Sequence, residues 1–415
     1  MENANEDTNK IKVGDFVIVQ RQGYTKLHKI KAQSNLILGS FHIEMDNVIG
    51  ERYFDTFQMK NTSNSKKFYT LEKVNEVNSV VESLNIEKSG TDNRHIQVNA
   101  ESQGLSKEDI DKLKDEQFGS SNIVEQLVNN SKTFNMKTEY SQEKYLKKKE
   151  KKYFEYIVIR RPTIRLLAQM FYRQDPTKTL GIRVDDLSQI LNHANIHPEG
   201  NHLLYDSGTS GLLPAAITNL IGSKTEGHLI HMHPGNECQK NAFMAMQFPQ
   251  EQVERCTNVN LYSVLRCFYQ NKDSYKKTQD TEIDNSCEEP AQKKIKVEDG
   301  EEQLPKKSWQ IDNERACRIL SNRVDSLIIT SKEHPVNITK ELLQFLNGNR
   351  QFVVFNILKE PLMDLYNYLK SREDIISIRL CNNFMRNYQV LPERTHPEVN
   401  MCSGGYILTA YKLSC

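Results

Sequence analysis

Residues 202–217 read HLLYDSGTSGLLPAAI. An apolar run closes on the acid Asp206, Gly208 and Gly211 bracket a short turn, and a second apolar run follows that can only be a buried helix or strand. Acid, glycine turn and apolar helix in that order describe the first strand-to-helix junction of a doubly wound sheet, where a ligand crevice opens at the carboxyl ends of the strands. The layout suits a nucleotide or S-adenosylmethionine pocket. It equally suits a tight turn with no ligand, and the loop alone does not choose.

Downstream, short apolar runs alternate with amphipathic stretches: HLIHMH, NAFMAMQF, VNLYSVL, DSLIIT, ITKELLQFLN, RQFVVFNIL, PLMDLYNYLK, IISIRL and GGYILTAYKL. Strands alternating with helices predict an α/β domain with a parallel sheet over 201–415. Residues 271–308 interrupt it with many Lys, Asp and Glu and one aromatic, which reads as a disordered surface insertion. Upstream, the runs IKVGDFVIVQ and LILGSFHIEM with their glycine turns predict a small N-terminal β-barrel-like domain over 1–60. Residues 61–100, rich in Asn, Ser, Lys and Glu, read as a linker without fixed structure. Residues 101–200 are expected to be helical around a Lys-rich segment. One helix start there has Ser106 as cap, Asp109 in the first turn, and Leu105 with Ile110 as a hydrophobic staple.

The chain has 415 residues, with 55 Lys and Arg against 54 Asp and Glu, so overall charge selects no partner class. The eight cysteines form no CxxC pair, which argues against a disulfide framework or a ribbon-type zinc site. The polar, acidic start MENANEDTNK and the absence of a long apolar run predict no secretion and no membrane span. A soluble protein of a reducing compartment is expected.

A working donor pocket needs more than its first loop. An acid near the end of the second strand holds both ribose hydroxyls. Here GHLIHMH ends in His233, and an imidazole offers at most one acceptor. A methyltransferase also needs a polar or acidic group after the fourth strand, and DSLII ends in Thr330-Ser331-Lys332, without a carboxylate. His231 and His233 share one strand face, but only Cys238 accompanies them, so no metal is expected.

Cation placement is more informative. Residues 144–161 hold eight Lys or Arg against two Glu. Lys144, Lys147, Lys148, Lys149, Lys151 and Lys152, flanked by Tyr145 and followed by Arg160 and Arg161, recur at spacings that line one helical face with ammonium groups, a ladder suited to phosphates. A solvated helix or a nuclear import signal gives the same composition. The turn from Arg173 to Lys178 presents two more cations, or is a plain surface turn. Gln103, Gly104 and Ser106 precede a helix whose free amides attract phosphate, although Asp109 competes for them.

Four long stretches, NSKTFNMKTEYSQEKYLKKKEKKY, RQDPTKTLGIRVDDLSQILNHANI, LLYDSGTSGLLPAAI and LPERTHPEVNMCSGGYILTAYKL, resemble the non-catalytic subunits of the eukaryotic tRNA (adenine-58-N1)-methyltransferase, in that family's order. The resemblance implies a degenerate, seven-stranded Rossmann-like methyltransferase domain behind the β-rich N-terminus. In the catalytic paralogue the first loop resembles E-x-G-x-G-x-G, the second strand ends in Glu and the fourth in Asp. In this chain Asp206, Gly208 and Gly211 form a shorter loop, His233 stands for the Glu and Thr330 for the Asp.

The family therefore implies that this chain binds no cofactor and carries no catalytic residue, with S-adenosylmethionine on a catalytic partner in a two-plus-two heterotetramer. It also implies that the lysine run lies on the tRNA path and that the complex works in the nucleus. Arg394, Thr395 and His396 resemble that family's last loop before the carboxyl-terminal hairpin, which either brings a guanidinium near substrate or is a plain structural turn. Two rivals stay open: an active S-adenosylmethionine-dependent subunit, and a protein-binding scaffold in translation.

Overall fold

The computed structural model describes residues 9–62, 68–75, 89–90, 92, 94, 102–106, 108–110, 113, 120–153, 155–270, 307–391, 394–398 and 404–414. The chain divides into two compact units, Met1–Pro162 and Thr163–Cys415.

The first unit is built on strands β1 (Phe16–Arg21), β2 (Tyr24–Lys29), β3 (Asn35–Leu38), β4 (Phe41–Glu44), β5 (Thr56–Asn61), β6 (Phe68–Val74) and β7 (Tyr156–Arg160). They form one sheet in the order β2-β1-β7-β5-β6-β4-β3. Alternate residues Val17 and Val19, Phe57 and Met59, and Ile157 and Ile159 are buried in its core, as the two-residue period of a strand requires.

Two strands correct the expected boundaries. β6 lies inside 61–100, the stretch expected to be a linker, and β7 comes from far outside 1–60 yet pairs with both β1 and β5 in the middle of the sheet. FYTLEKV buries Leu71, and YIVIR is the β-branched run that the gap between β1 and β5 accommodates. The remainder of 61–100 lies largely outside the described residues. Helices α1 (Ser120–Asn129) and α2 (Glu139–Tyr153) share a small core of Ile123, Leu127, Phe134, Leu146 and Tyr153.

The second unit begins with α3 (Ile164–Gln174) and α4 (Val184–Ala194), so the boundary falls at Pro162 rather than at residue 200. Both helices are strongly amphipathic and bury Leu167, Met170, Leu187 and Ile190, and α4 lies against the sheet of this unit. Next come β8 (Asn201–Asp206), α5 (Leu212–Ile221), β9 (His228–His233), the short helices α6 (Asn241–Ala245) and α7 (Gln250–Glu254), β10 (Cys256–Asn260) and α8 (Leu261–Gln270). After 271–306, which lie outside the described residues, follow α9 (Ser308–Ser321), β11 (Ser326–Thr330), α10 (Pro335–Leu342), β12 (Arg350–Asn356), α11 (Glu360–Lys370) and β13 (Ile375–Asn382). A hairpin of β14 (Tyr388–Leu391) and β15 (Arg394–Pro397) leads to the last strand, β16 (Tyr406–Lys412).

The α/β sheet expected from the alternating pattern is present, with the seven strands that the resemblance implies, in the order β10-β9-β8-β11-β12-β16-β13. The first five strands are parallel, and β16 runs antiparallel between β12 and β13. β8 and β11 are buried along nearly their whole length, which explains their unbroken apolar sequences. The strand order reverses beside β8, so the crevice predicted from residues 202–217 sits where the topology places one.

Candidate functional site

The loop after β8 is held from inside. Oδ1 of Asp206 accepts from the amides of Gly208 at 2.8 Å and Thr209 at 2.9 Å, and Oδ2 accepts from Thr209 Oγ1 at 2.5 Å. The acid that closes the strand is thus spent on its own turn. Gly208 and Gly211 have φ of +140° and +78°, which explains both glycines.

The loop is also roofed. Gln239 Oε1 accepts from the amide of Ser210 at 2.8 Å, and a Cβ on Gly208 would lie 3.4 Å from Gln239 Nε2 and 3.6 Å from Lys332 Nζ. A Cβ on Gly211 would meet the Gln239 carbonyl at 2.9 Å. Lys332 is drawn in because its amide donates to Ser207 Oγ at 2.7 Å. The loop carries a third tie: Ser210 Oγ donates to the Lys178 carbonyl at 2.8 Å. Two places singled out separately in the sequence, the cationic turn and the glycine loop, are therefore in contact.

Behind the loop lies a charge pair. His231 is buried on β9 with Nε2 3.7 Å from Asp206 Oδ2, too long for a hydrogen bond and close enough for strong coulombic attraction. Its Nδ1 donates to Asn258 Oδ1 at 2.8 Å. Burial pulls the imidazole pKa down, but Asp206, Cys238 and Asn258 outweigh it and raise it to about 9. The imidazole is a cation at neutral pH, inside a protein that seals it with its own carboxylate. His233 is the opposite case. Burial, and then the charge on His231, lower its pKa to about 4, and its buried Nδ1 has no hydrogen-bond partner. Thr330 donates its hydroxyl to the Tyr205 carbonyl at 3.2 Å and is fully buried. Among the described residues no group of three His, Cys, Asp or Glu is placed to hold a metal ion, and no helix is long and apolar enough to cross a membrane.

The lysine run is helical, as α2. Gln142, Leu146 and Tyr153 face inward, with Gln142 Nε2 donating to the Phe134 carbonyl at 2.9 Å. Lys144, Lys147 and Lys148 are exposed one turn apart on another face, and the backbone places Lys151 on the same stripe. The side chains of Lys151 and Lys152 lie outside the description. Tyr145 packs against the core beneath, with the ammonium groups of Lys137 and Lys149 over its ring at 4.7 and 5.3 Å. Lys147 pairs with Glu143 at 2.5 Å, one turn back.

Other candidates are used more structurally. Gly104 donates its amide to Asn130 at 2.9 Å and Gln103 its side chain to Leu127 at 3.3 Å. Ser106 and Asp109 cap each other reciprocally, so the competition for those amides goes to the protein. Arg160 lies half-buried on β7, and its neighbour Arg161 stands 5.9 Å from the ring of Tyr53. Arg173 and Lys178 are exposed around a turn capped by Asp175, which accepts from Thr177. Arg394 lies on β15, and Thr395 and His396 beside it are exposed.

Sequence reasoning missed Arg183. Its guanidinium is 2% exposed, binds Asp185 at 2.9 and 2.6 Å, and donates to the Asn383 carbonyl at 2.8 Å. Asn383 in turn donates to Asp186 at 2.9 Å, so the start of α4 grips the approach to the β14–β15 hairpin from 200 residues away. The only local signal was an arginine followed by two acids at a helix start.

The strand order, the loop after β8 and the antiparallel last strand define a Rossmann-like domain of the methyltransferase class. A SAM-dependent O-methyltransferase from Thermotoga maritima superposes with a TM-score of 0.50 at 13% identity, covering 99% of this chain and 97% of that one, a likeness of fold. The chain belongs to the Gcd10p family, whose pattern matches residues 10–294. The mouse protein named tRNA (adenine(58)-N(1))-methyltransferase non-catalytic subunit TRM6 is 31% identical, over 96% of this chain and 87% of its own length. The protein of that name from Dictyostelium discoideum is 29% identical, over 98% and 80%.

Proposed function

We propose that this chain is the non-catalytic, tRNA-binding subunit of a tRNA (adenine-58-N1)-methyltransferase. The observation that carries the reading is the self-sealed loop, in which Asp206 is spent on its own turn and Gln239 covers Gly208. S-adenosylmethionine does not fit such residues. With a neutral His233 where the acid is needed, the paired ribose hydrogen bonds, worth roughly 1.5–3 kcal/mol each when charge-assisted, find one uncharged acceptor at most. Thr330 is no base, and general base help is commonly worth about 10²- to 10⁴-fold in rate. The donor and the chemistry then belong to a catalytic paralogue, two copies of each chain per complex, acting in the nucleus. The exposed stripe of Lys144, Lys147 and Lys148 supports a role in holding the tRNA backbone. We read the N-terminal sheet as a barrel that shares this task.

Calorimetric titration of S-adenosylmethionine into the isolated chain, beside a methylation assay with tRNA, tests the reading. The expected result is no heat and no N1-methyladenosine from the chain alone, with product once the catalytic paralogue is added. Micromolar binding or methylation by the lone chain overturns it.

A further inference from the structure

At the carboxyl end of β13 the chain turns outward through Asn382-Asn383-Phe384-Met385-Arg386-Asn387 and encloses a cavity of about 290 Å³ with Arg183, Glu398, Gly404 and Tyr406. Its walls are fixed. Arg183 and Asp186 hold Asn383, Asn382 donates to the Gly405 carbonyl at 2.9 Å, and the amide of Glu398 donates to the Asn387 carbonyl at 2.8 Å. A Cβ on Gly404 would approach Arg183 Cζ to 2.9 Å, so the guanidinium lies flat on a glycine.

At the mouth stands Phe384, 83% exposed, with Arg386 Cζ 5.7 Å from its ring centre. A phenylalanine so far out of the core is little used in packing, and its partner Arg386 makes no ion pair among the described residues. The lining offers asparagine amides, a carboxylate and the Arg386 guanidinium beside the exposed ring of Phe384, with Met385 next to it, while the Arg183 guanidinium is taken by Asp185 and Asn383. An unstacked base is recognised by such a set: an aromatic face to stack on, a guanidinium plane beside it, and polar groups for its edge. A volume near 300 Å³ is at the small end of ligand sites and suits one planar group. The side-chain oxygens of Asn382, Asn383 and Asn387 in the lining can accept hydrogen bonds, which favours an exocyclic amine.

We propose that this cavity receives one unpaired nucleobase bearing an exocyclic amine, stacked on Phe384, from the RNA that this subunit holds. The proposal rests on the tRNA-binding reading above. Arg386 steadies the stacked base and meets its phosphate.

The test uses the complete complex of this chain with its catalytic paralogue and a tRNA transcript, titrated at several salt concentrations. Phe384→Ala is expected to weaken binding about fivefold or more, the loss typical of one stacked base. Its salt dependence should stay as before, because no phosphate contact is removed. Phe384→Tyr should keep the affinity, and Phe384→Leu, apolar without a ring, should behave as alanine. Unchanged binding by the alanine variant, rescue by leucine, or loss of the paralogue on purification, the mark of a protein interface, each overturns the proposal. If the unaltered complex binds tRNA no better than the paralogue alone, the underlying reading fails with it, a different outcome from wild-type binding that ignores Phe384.

Discussion

His231 Nε2 lies 3.7 Å from Asp206 Oδ2, and the two side chains are each 2% exposed. In a cofactor-binding relative of this fold a cleft opens beside that acid. Here the cleft's first loop is closed by its own carboxylate, and the compensating positive charge is a histidine of the neighbouring strand. A buried carboxylate without such a partner would be costly. The pair therefore holds the first loop of a methyltransferase frame in shape from inside the protein.

Stability should peak near pH 6.5. His231 holds its proton in the fold up to about pH 9, whereas an unfolded histidine releases it near 6.5. Its contribution is full below about pH 6.5 and is lost as pH rises toward 9. His202 and His233 act in the opposite direction. Burial lowers both to about 4, so between about 4 and 6.5 the unfolded chain binds protons that the folded one refuses, and stability rises with pH. Thermal unfolding from about pH 4 to 9 should give a dome, and a midpoint still climbing above pH 8 would contradict it.

Asp206→Asn removes the counter-charge that keeps His231 protonated, so near neutral pH the imidazole is buried neutral and the pair is lost. Breaking a buried pair from one side costs about 3–5 kcal/mol. The variant should unfold earlier at pH 7 and lose the decline between pH 6.5 and 9, because His231 is then neutral in both states. An unaltered alkaline limb, followed by scanning calorimetry, would show that another group titrates there.

His233→Glu restores the acid that the ribose needs and should still confer no S-adenosylmethionine binding. The new carboxylate faces a loop whose amides are taken by Asp206 and whose glycine is covered by Gln239. Calorimetry on the purified variant decides, and micromolar affinity would mean that the missing acid alone had silenced the site.

How much of this was legible beforehand follows from the range of each interaction. The alternation of apolar runs after residue 202 exposes the α/β sheet, because parallel strands are buried on both faces and leave a continuous signature. The losses at His233 and Thr330 are visible because they concern residue type at a strand end. The roof over Gly208 is not, since Gln239 is an unremarkable polar residue in a loop until the fold carries it there. β7 is hidden for a similar reason. YIVIR reads as a strand, but nothing local says that it pairs with β1 and β5 across more than 90 residues. The link from Arg183 to Asn383 is likewise a fact of tertiary structure alone.

Reversing Lys144, Lys147 and Lys148 to Glu should weaken tRNA binding by the assembled complex by on the order of tenfold or more, and flatten its salt dependence. Each phosphate contact contributes roughly 0.7–0.9 to the slope of log K against log salt, so losing two or three is measurable. The midpoint of unfolding should hardly move. The three side chains are exposed, and the Glu143–Lys147 pair is worth about 0.3–0.5 kcal/mol. Unchanged affinity in filter binding would return the stripe to a merely solvated face.

Arg183→Ala should loosen the hairpin approach before it unfolds the domain. The substitution strands Asp186, a buried carboxylate whose pKa burial already raises, and frees the Asn383 carbonyl. Removing one member of such a cluster costs about 3–5 kcal/mol. Much of that loss should appear locally, because Asn382–Asn387 is otherwise exposed and tied down mainly by Arg183, Asp186 and Gly405. Limited proteolysis is therefore expected to cut near Phe384–Arg386 in the variant at temperatures where the unaltered chain resists. Arg183→Lys should rescue little, since one ammonium cannot span the Asp185 carboxylate and the Asn383 carbonyl together. Equal resistance of all three chains would place the restraint on the hairpin elsewhere.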